Sequence, residues 1–166
     1  QHEVSMAGFI ESSKDVESVT HLQEFCVRVE PARLHRRPAL SHLPGLLRYI
    51  LQGKPPELKF LHSEELIRKI RAMVSETDFD IVQVEHSRMG LYLEALPEKR
   101  KSKTVLMFHN FTFQQYKRVS QVEKRWDRKL RSMLNSLAML RWEPRYAEKF
   151  DRCTTVSEMD RDLLLR

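Results

Sequence analysis

The sequence predicts an α/β fold in which a parallel β-sheet is flanked by helices. Segments with strand-like composition alternate five times with segments of helical periodicity, the order typical of such a sheet. One strand segment, residues 104–108 (TVLMF), is an almost continuous apolar run, as expected of a strand that is covered on both faces. The chain has 166 residues, which is enough for one domain with its own core. A single domain over residues 1–166 is therefore expected.

The amino-terminal segments are predicted to form two strands around one helix. Residues 3–10 (EVSMAGFI) contain β-branched side chains and predict a strand, and a short helix is expected over residues 16–25. Residues 26–30 (CVRVE) alternate between polar and apolar side chains and predict a second short strand. This strand is expected to stop before Pro31, because residues 31–38 combine two prolines with three arginines, a composition typical of loops.

Two helices and a third strand are predicted in the middle of the chain. Apolar residues with helical spacing predict a short amphipathic helix over residues 43–51. The next helix is expected to begin at Ser63, whose side chain can accept a hydrogen bond from a free amide of the first turn. A strand over residues 81–85 (IVQVE) then precedes a short helix over residues 90–96.

One long helix is predicted after the strand at residues 104–108. It extends from about residue 115 towards residue 150, with Pro144 expected to kink or split it. The side chains that line one side of this helix are Trp126, Leu130, Met133, Leu134, Leu137 and Leu140. A last strand over residues 153–156 (CTTV) precedes a helix that Ser157 is expected to cap.

The positive charge is concentrated in residues 114–145, which contain nine Lys or Arg and three Asp or Glu. The difference equals the whole chain's net charge of +6, so the remaining residues balance to zero. Such a segment can attract phosphate groups of nucleic acid, anionic lipid or a nucleotide-linked substrate. A solvated helix face without a ligand fits the charge equally well. The signal for nucleic acid is weak, because aromatic side chains do not interleave with the basic residues.

Other function classes are disfavoured by what the sequence lacks. It has no signal peptide and no apolar run near the ~20 residues of a membrane span. Its two cysteines lack metal-ligand spacing, so a reducing cytosol is expected. It contains no glycine-rich phosphate loop and no nucleophile elbow. No metal site is predicted, because the histidines are not paired at metal-ligand spacing.

Polar side chains follow three of the predicted strands where each strand ends. They are Glu85, His86 and Ser87 after the third strand, His109 and Asn110 after the fourth, and Ser157 and Glu158 after the fifth. The carboxyl ends of parallel strands meet at one edge of a sheet, where ligands of α/β proteins bind. The sequence therefore predicts a functional site at this edge.

Three segments resemble a known enzyme family. Residues 79–87 (FDIVQVEHS), 104–118 (TVLMFHNFTFQQYKR) and 140–164 (LRWEPRYAEKFDRCTTVSEMDRDLL) are similar to the amino-terminal domain of retaining GT-B glycosyltransferases of family 4, also called group 1. The opening residues 2–10 resemble that family's second strand. The resemblance implies a Rossmann-like domain that forms one half of a GT-B fold and contributes mainly acceptor contacts.

The resemblance also implies that the chain is truncated at both ends. The family's first strand and the carboxyl-terminal donor domain are expected to be absent, and the missing strand would lie centrally in the sheet. The chain has no starting methionine and ends in an apolar helical segment. We expect this fragment to be inactive alone.

The reaction implied by the resemblance is retaining transfer of a hexosyl group from a nucleoside-diphosphate sugar to a glycan or lipid-linked acceptor, with no cofactor and no metal. His109 would be the catalytic residue, with its side chain at a hydroxyl of the donor sugar. The positions implied to bind substrate are Glu85, His86, Asn110, Ser157 and Glu158.

The basic helix fits the same resemblance, since family members often act on acceptors in membranes. A cytoplasmic protein, peripheral at the inner face of the plasma membrane, is expected, and nucleic acid is not expected as a partner. The residues predicted to contact the membrane or another anion are Lys117, Arg118, Lys124, Arg125, Arg128 and Lys129. Two alternatives remain: a non-enzymatic α/β module whose basic helix binds nucleic acid or a protein, and another Rossmann-like enzyme such as a nucleotide-sugar epimerase.

Overall fold

The computed structural model describes residues 2–12, 14–34 and 51–165. In chain order its elements are β1 (Ser5–Ile10), α1 (Lys14–Leu22), β2 (Arg28–Arg33), α2 (Leu58–Leu61), α3 (Glu64–Glu76), β3 (Ile81–Glu85), the 3₁₀ helix η1 (Ser87–Ala95), β4 (Lys103–Phe108), α4 (Thr112–Val122), α5 (Trp126–Ala147), β5 (Arg152–Thr155) and α6 (Glu158–Leu164). The helix predicted over residues 43–51 lies outside the described residues except for its last position.

The strands pair in parallel, as the α/β prediction requires, but within the described residues they form two sheets. One sheet has the order β2-β1 and the other β3-β4-β5. The predicted class, a Rossmann-like α/β domain with parallel strands flanked by helices, is confirmed, and β1 and β3 are not hydrogen-bonded to each other among the described residues. A further strand in the centre of the sheet stays a prediction from the resemblance.

One hydrophobic core nevertheless connects the two sheets. Leu106 and Phe108 of β4 are buried at its centre, and Phe9 of β1 meets the ring of Tyr92 in η1 with centroids 6.1 Å apart. Gly90 allows η1 to approach α5 closely, since a β-carbon there would lie 3.1 Å from the ring of Tyr146. The core thus holds η1 and α5 against the three-stranded sheet.

The second strand extends further than predicted. It runs from Arg28 to Arg33 and includes Pro31, which pairs with Gly8 of β1. Proline has no N–H to donate, so it is tolerated in strands mainly at sheet edges. In the two-stranded sheet β2 is such an edge, and the expected loop therefore begins later in the chain.

The predicted helix over residues 90–96 is instead a 3₁₀ helix that starts earlier, at Ser87. Its buried residues include Ser87 and Gly90, which are three positions apart, the repeat that aligns side chains in a 3₁₀ helix. Tyr92 fastens η1 to the start of α3, because its hydroxyl donates to the Leu61 carbonyl at 2.6 Å and accepts from the Ser63 amide at 3.0 Å.

The long helix predicted over residues 115–150 is two helices, α4 and α5. The chain is extended at Glu123 and again at Arg125, and these residues end one helix and precede the next. Pro144 lies inside α5 and does not split it, since the carbonyl of Pro144 still accepts from the Glu148 amide at 3.2 Å. The break in the helix therefore lies at residues 123–125, about twenty residues before Pro144.

The apolar side of this predicted helix is exposed to solvent in the structure. The exposed fractions are 79% for Trp126, 49% for Leu130, 47% for Met133, 58% for Leu134, 53% for Leu137 and 46% for Leu140. The buried side chains of α5 are Ser132, Met139, Trp142, Glu143, Tyr146 and Ala147. At about 100° per residue the two sets lie on roughly opposite sides of the helix. Tertiary packing buries the more polar side and leaves the Leu-rich side in solvent.

The other local predictions agree with the structure. Ser63 caps α3, with its hydroxyl oxygen accepting from the Leu66 amide at 3.3 Å. Ser157 caps α6 by accepting from the Asp160 amide at 3.1 Å. Among the described helices, none combines the length and the apolar content that crossing a membrane requires.

Candidate functional site

The third and fourth strands bring a carboxylate and two imidazoles together at one sheet edge. Glu85 ends β3, and His109 directly follows β4, the neighbouring parallel strand. Nε2 of His109 lies 2.6 Å from Oε2 of Glu85, and the ring centroids of His86 and His109 are 4.4 Å apart. The predicted convergence of these three residues is therefore confirmed.

The Glu85–His109 pair is open to solvent on one side. The side chain of His109 is 40% exposed and that of Glu85 is 48% exposed, so a substrate can reach both. An ionised carboxylate only accepts hydrogen bonds, so Nε2 carries the shared hydrogen. In the neutral ring Nδ1 is then an acceptor that can bind a hydroxyl group.

The electrostatic environment keeps these groups in defined charge states. Partial burial acts to raise the pKa of Glu85, but hydrogen bonds from Gln83 and His109 outweigh burial and leave this pKa below its usual value. Burial lowers the pKa of His86, and the neighbouring His109 and Arg88 lower it further. At neutral pH the site thus presents one carboxylate next to a neutral His86.

His86 has an unusual backbone conformation. Its φ of 69° is positive, and among the described residues it is the one non-glycine residue for which this is so. Its amide donates to the Met107 carbonyl at 3.0 Å, which extends the pairing of β3 with β4 by one residue before the chain turns into η1. A side-chain-bearing residue in this conformation costs roughly 1–3 kcal/mol, and such costs concentrate at functional sites.

The remaining predicted site residues lie at the same edge but play different structural roles. Asn110 is exposed in the turn after His109. Ser157 and Glu158 follow β5, which pairs with β4 on the side away from β3. Within the described residues, the Ser157 hydroxyl is used inside α6, where it donates to Asp160 at 2.7 Å as well as capping the helix. The structure therefore assigns Ser157 a local structural role.

A buried glutamate that the sequence reasoning missed connects the two turns of the site. Glu143 of α5 is fully buried. It accepts hydrogen bonds from the Ser87 hydroxyl at 2.5 Å, the Thr112 amide at 2.8 Å and the Phe113 amide at 3.2 Å. Burial raises the pKa of Glu143, and these donors act in the opposite direction. Glu143 thereby caps α4 and ties it to η1, the two helices that follow His109 and His86.

The sequence contains one signal for Glu143. It is an acid within the basic segment at residues 114–145, and in a helix it falls on the same side as Met139 and Trp142. A carboxylate on a buried helix side requires hydrogen-bond donors nearby. Only the tertiary fold supplies those donors, which come from residues 30 or more positions away in sequence.

A second buried carboxyl, Glu57, lies close to this network. Burial raises its pKa to about 7, while the positive charge of Arg88 acts against burial and the charge of Glu143 adds to it. Neither carboxyl oxygen has a hydrogen-bond partner among the described residues. The ionised form of Glu57 is therefore costly in the folded state.

Replacing Glu57 by glutamine is expected to stabilise the protein at alkaline pH. The pKa of Glu57 is about 7 when folded and 4.5 ordinarily, so the wild type loses stability as the pH rises from 4.5 through 7. The variant lacks this loss, and at pH 8 it should gain about 1–3 kcal/mol. Urea unfolding at pH 8 and pH 4 measures the difference, with Glu98→Gln on the surface as the control. An equal effect of Glu57→Gln at both pH values would contradict this expectation.

The residues predicted to contact a membrane or another anion do not belong to this site. Lys117 and Arg118 are exposed on α4, Lys124 and Arg125 connect the two helices, and Arg128 and Lys129 are exposed on the first turn of α5. In the described part of the chain, no group of three His, Cys, Asp or Glu side chains has an arrangement that could hold a metal ion.

Residues 16–166 match the sequence model of Glycosyltransferase Family 4. No curated protein and no solved structure gives a significant match to the chain. The matched region includes four of the five strands, β2 to β5, and every residue of the site.

Proposed function

This chain belongs to Glycosyltransferase Family 4, and from this premise we propose that it is the acceptor-side domain of a retaining glycosyltransferase. The transferred group is a hexosyl group from a nucleoside-diphosphate sugar. The acceptor is a glycan or a lipid-linked acceptor, and the protein acts in the cytoplasm, peripherally at the inner face of the plasma membrane. Family membership favours this enzyme over a non-enzymatic binding module.

The Glu85–His109 pair is the observation that carries the proposal. The carboxylate holds the imidazole through Nε2 at 2.6 Å, and the side chain of His109 is 40% exposed. A ring oriented in this way can bind a hydroxyl of the donor sugar and keep the anomeric carbon at a defined position. His109 is thus the proposed catalytic residue, and Glu85 positions it.

The proposed reaction needs no redox step and no cofactor. The acceptor oxygen forms a bond to the anomeric carbon, the bond from that carbon to the terminal phosphate oxygen breaks, and the acceptor proton goes to the departing nucleoside diphosphate. A second domain would bind the nucleotide. His86 is the residue proposed to accept a hydrogen bond from the acceptor hydroxyl, which is supported by its lowered pKa and by its ring lying 4.4 Å from that of His109.

The test uses the full-length protein that carries this domain. It is incubated with a panel of nucleoside-diphosphate hexoses and glycan or lipid-linked acceptors, and release of nucleoside diphosphate is measured. Early product is examined by NMR at its anomeric proton. We expect acceptor-dependent release and a product with the anomeric configuration of the donor. Inverted product would refute the retaining mechanism, and no release with any pair would refute the proposed enzyme.

A further inference from the structure

Two buried hydroxyl groups join the turns that carry the paired imidazoles of the site. Oγ of Ser87 and Oγ1 of Thr112 are 3.1 Å apart, and the two residues are 1% and 4% exposed. Ser87 directly follows His86, and Thr112 lies three residues after His109. The two imidazoles are themselves adjacent, with ring centroids 4.4 Å apart. The contact between the hydroxyls is therefore the buried counterpart of the contact between the rings.

The two hydroxyls belong to a chain of hydrogen bonds with a fixed direction. The Ser87 hydroxyl donates its one hydrogen to Oε1 of Glu143 at 2.5 Å. The Thr112 hydroxyl must therefore donate in the contact with Ser87, whose oxygen accepts. Hydrogen bonds in such a buried chain polarise and strengthen one another. Removal of either hydroxyl breaks this chain.

The backbone of His86 depends on anchors on both of its sides. Its φ of 69° is costly for a residue with a side chain, and such a conformation persists only where surrounding contacts determine it. On one side the His86 amide donates to the Met107 carbonyl at 3.0 Å. On the other side Ser87 is held by its hydrogen bonds to Glu143 and Thr112. Loss of the Ser87 anchor should therefore let His86 relax and move its ring.

The turn that carries His109 is also anchored at both ends. Phe108 precedes it and Phe111 follows it, and both are buried with ring centroids 4.9 Å apart. Thr112, the next residue, is buried as well and begins α4. The hydroxyl contact thus links two turns that are each fixed in the core and that each present an imidazole at the sheet edge.

We propose that the Ser87–Thr112 hydroxyl pair positions the two imidazoles of the site and so sets the alignment of acceptor and donor. This role rests on the proposed function, in which His109 holds the donor sugar and His86 accepts a hydrogen bond from the acceptor hydroxyl. The spacing of the rings then decides how the acceptor oxygen meets the anomeric carbon. Both hydroxyls are buried, so Ser87 and Thr112 are positioning residues that act through the histidines.

The variant Thr112→Val removes one hydroxyl and keeps the shape of the side chain. It retains the amide of position 112 and the Ser87 hydroxyl as donors to Glu143, so the cap of α4 is preserved. In the full-length protein we expect kcat to fall roughly tenfold with KM for the donor within about twofold of the wild type, because a displaced ring misaligns the reacting atoms. Thr112→Ser restores a hydroxyl and should recover most of the lost activity.

The variant Ser87→Ala removes the same contact from its other partner. If the hydroxyls act as a pair, Ser87→Ala/Thr112→Val should lose about as much kcat as the more damaging single variant, and not the product of both losses. The matched control is Ser120→Ala, which removes another buried hydroxyl of α4, one that donates to the Lys117 carbonyl at 2.7 Å. This control should leave kcat unchanged. Circular dichroism checks that each variant is folded, and either single variant suffices if the other is not.

The titration of His86 provides a readout that needs no sugar transfer. Burial, followed by the charge of His109, lowers the pKa of His86. Separation of the two rings should therefore raise the pKa of His86 towards its ordinary value in Thr112→Val and in Ser87→Ala. NMR titration of isotopically labelled histidine in the full-length protein measures this change, with His86→Gln identifying the signal. Ser120→Ala should titrate like the wild type.

The two readouts distinguish failure of this proposal from failure of the proposed enzyme. An unchanged His86 titration in folded Thr112→Val and Ser87→Ala would show that the hydroxyl pair does not set the ring spacing, and would overturn the proposal. A loss of stability with unchanged kcat would also overturn it, since a purely structural link predicts that result. A shifted titration in a protein without sugar transfer would support the positioning of the imidazoles and refute the enzyme alone.

Discussion

Replacing His109 by alanine in the full-length protein is expected to lower kcat/KM for sugar transfer by about 100-fold or more. The proposed role of the imidazole is to hold a sugar hydroxyl and so place the anomeric carbon, and misplacement of a reacting group by about 1 Å can cost a factor of this size. Because the side chain is 40% exposed, its loss should leave the stability of the domain almost unchanged. Steady-state kinetics together with a urea unfolding curve measure both quantities.

The matched control is Glu85→Gln, which retains the size of the side chain that holds His109. An amide is a weaker partner for Nε2 than the carboxylate 2.6 Å away, so a loss of roughly tenfold is expected. The pKa of Glu85 lies below its usual value, so the wild type should lose activity only at acidic pH, where the carboxylate gains a proton. That acidic limb should disappear in Glu85→Gln. Undiminished transfer by His109→Ala would remove His109 from the mechanism.

Replacing Glu143 by alanine is expected to destabilise the domain by about 3 kcal/mol. The change leaves the Thr112 and Phe113 amides and the Ser87 hydroxyl without their acceptor in a buried location. Each unsatisfied buried group costs about 1–3 kcal/mol, and loss of a helix cap has a similar cost. Urea unfolding followed by circular dichroism measures the difference.

Two further variants serve as comparisons for Glu143→Ala. Glu143→Gln keeps one acceptor oxygen and should cost less than the alanine variant, whereas Glu148→Ala, an exposed glutamate just beyond α5, should cost little. Glu143 connects the helices that follow His86 and His109. The glutamine variant should therefore also raise KM, by more than its small loss of stability accounts for. If the alanine variant is as stable as the wild type, the Ser87, Thr112 and Phe113 donors do not depend on this carboxylate.

Much of the fold follows from local sequence signals. The positions of β1, α3, β3, β4 and β5 agree with the segments predicted from composition and periodicity. The caps at Ser63 and Ser157 also agree, because a cap depends on a side chain and an amide three residues apart. Parallel pairing was predictable from the alternation of strands and helices alone.

Two features depended on contacts that no local signal contains. The buried side of α5 is the one with Ser132, Glu143 and Tyr146 rather than the Leu-rich one. Periodicity shows that a helix has an apolar side, but it does not show which side meets the core. The sequence likewise predicts the helix break at Pro144, whereas the structure has it at residues 123–125. A proline near the end of a helix removes only one hydrogen bond.

The sequence by itself determined the parallel α/β class, the residues at the strand ends and the concentration of positive charge on one segment. Each of these depends on side-chain type and short-range order, which are properties of the chain before it folds. The tertiary structure alone decided that Glu85 pairs with His109, that Glu143 lies beneath both turns and that the leucines of α5 face solvent. The two contacts join residues that are distant in sequence, and the exposure of the leucines depends on which side of α5 packs against the core. Packing of the whole core selects among the alternatives that local preferences leave open.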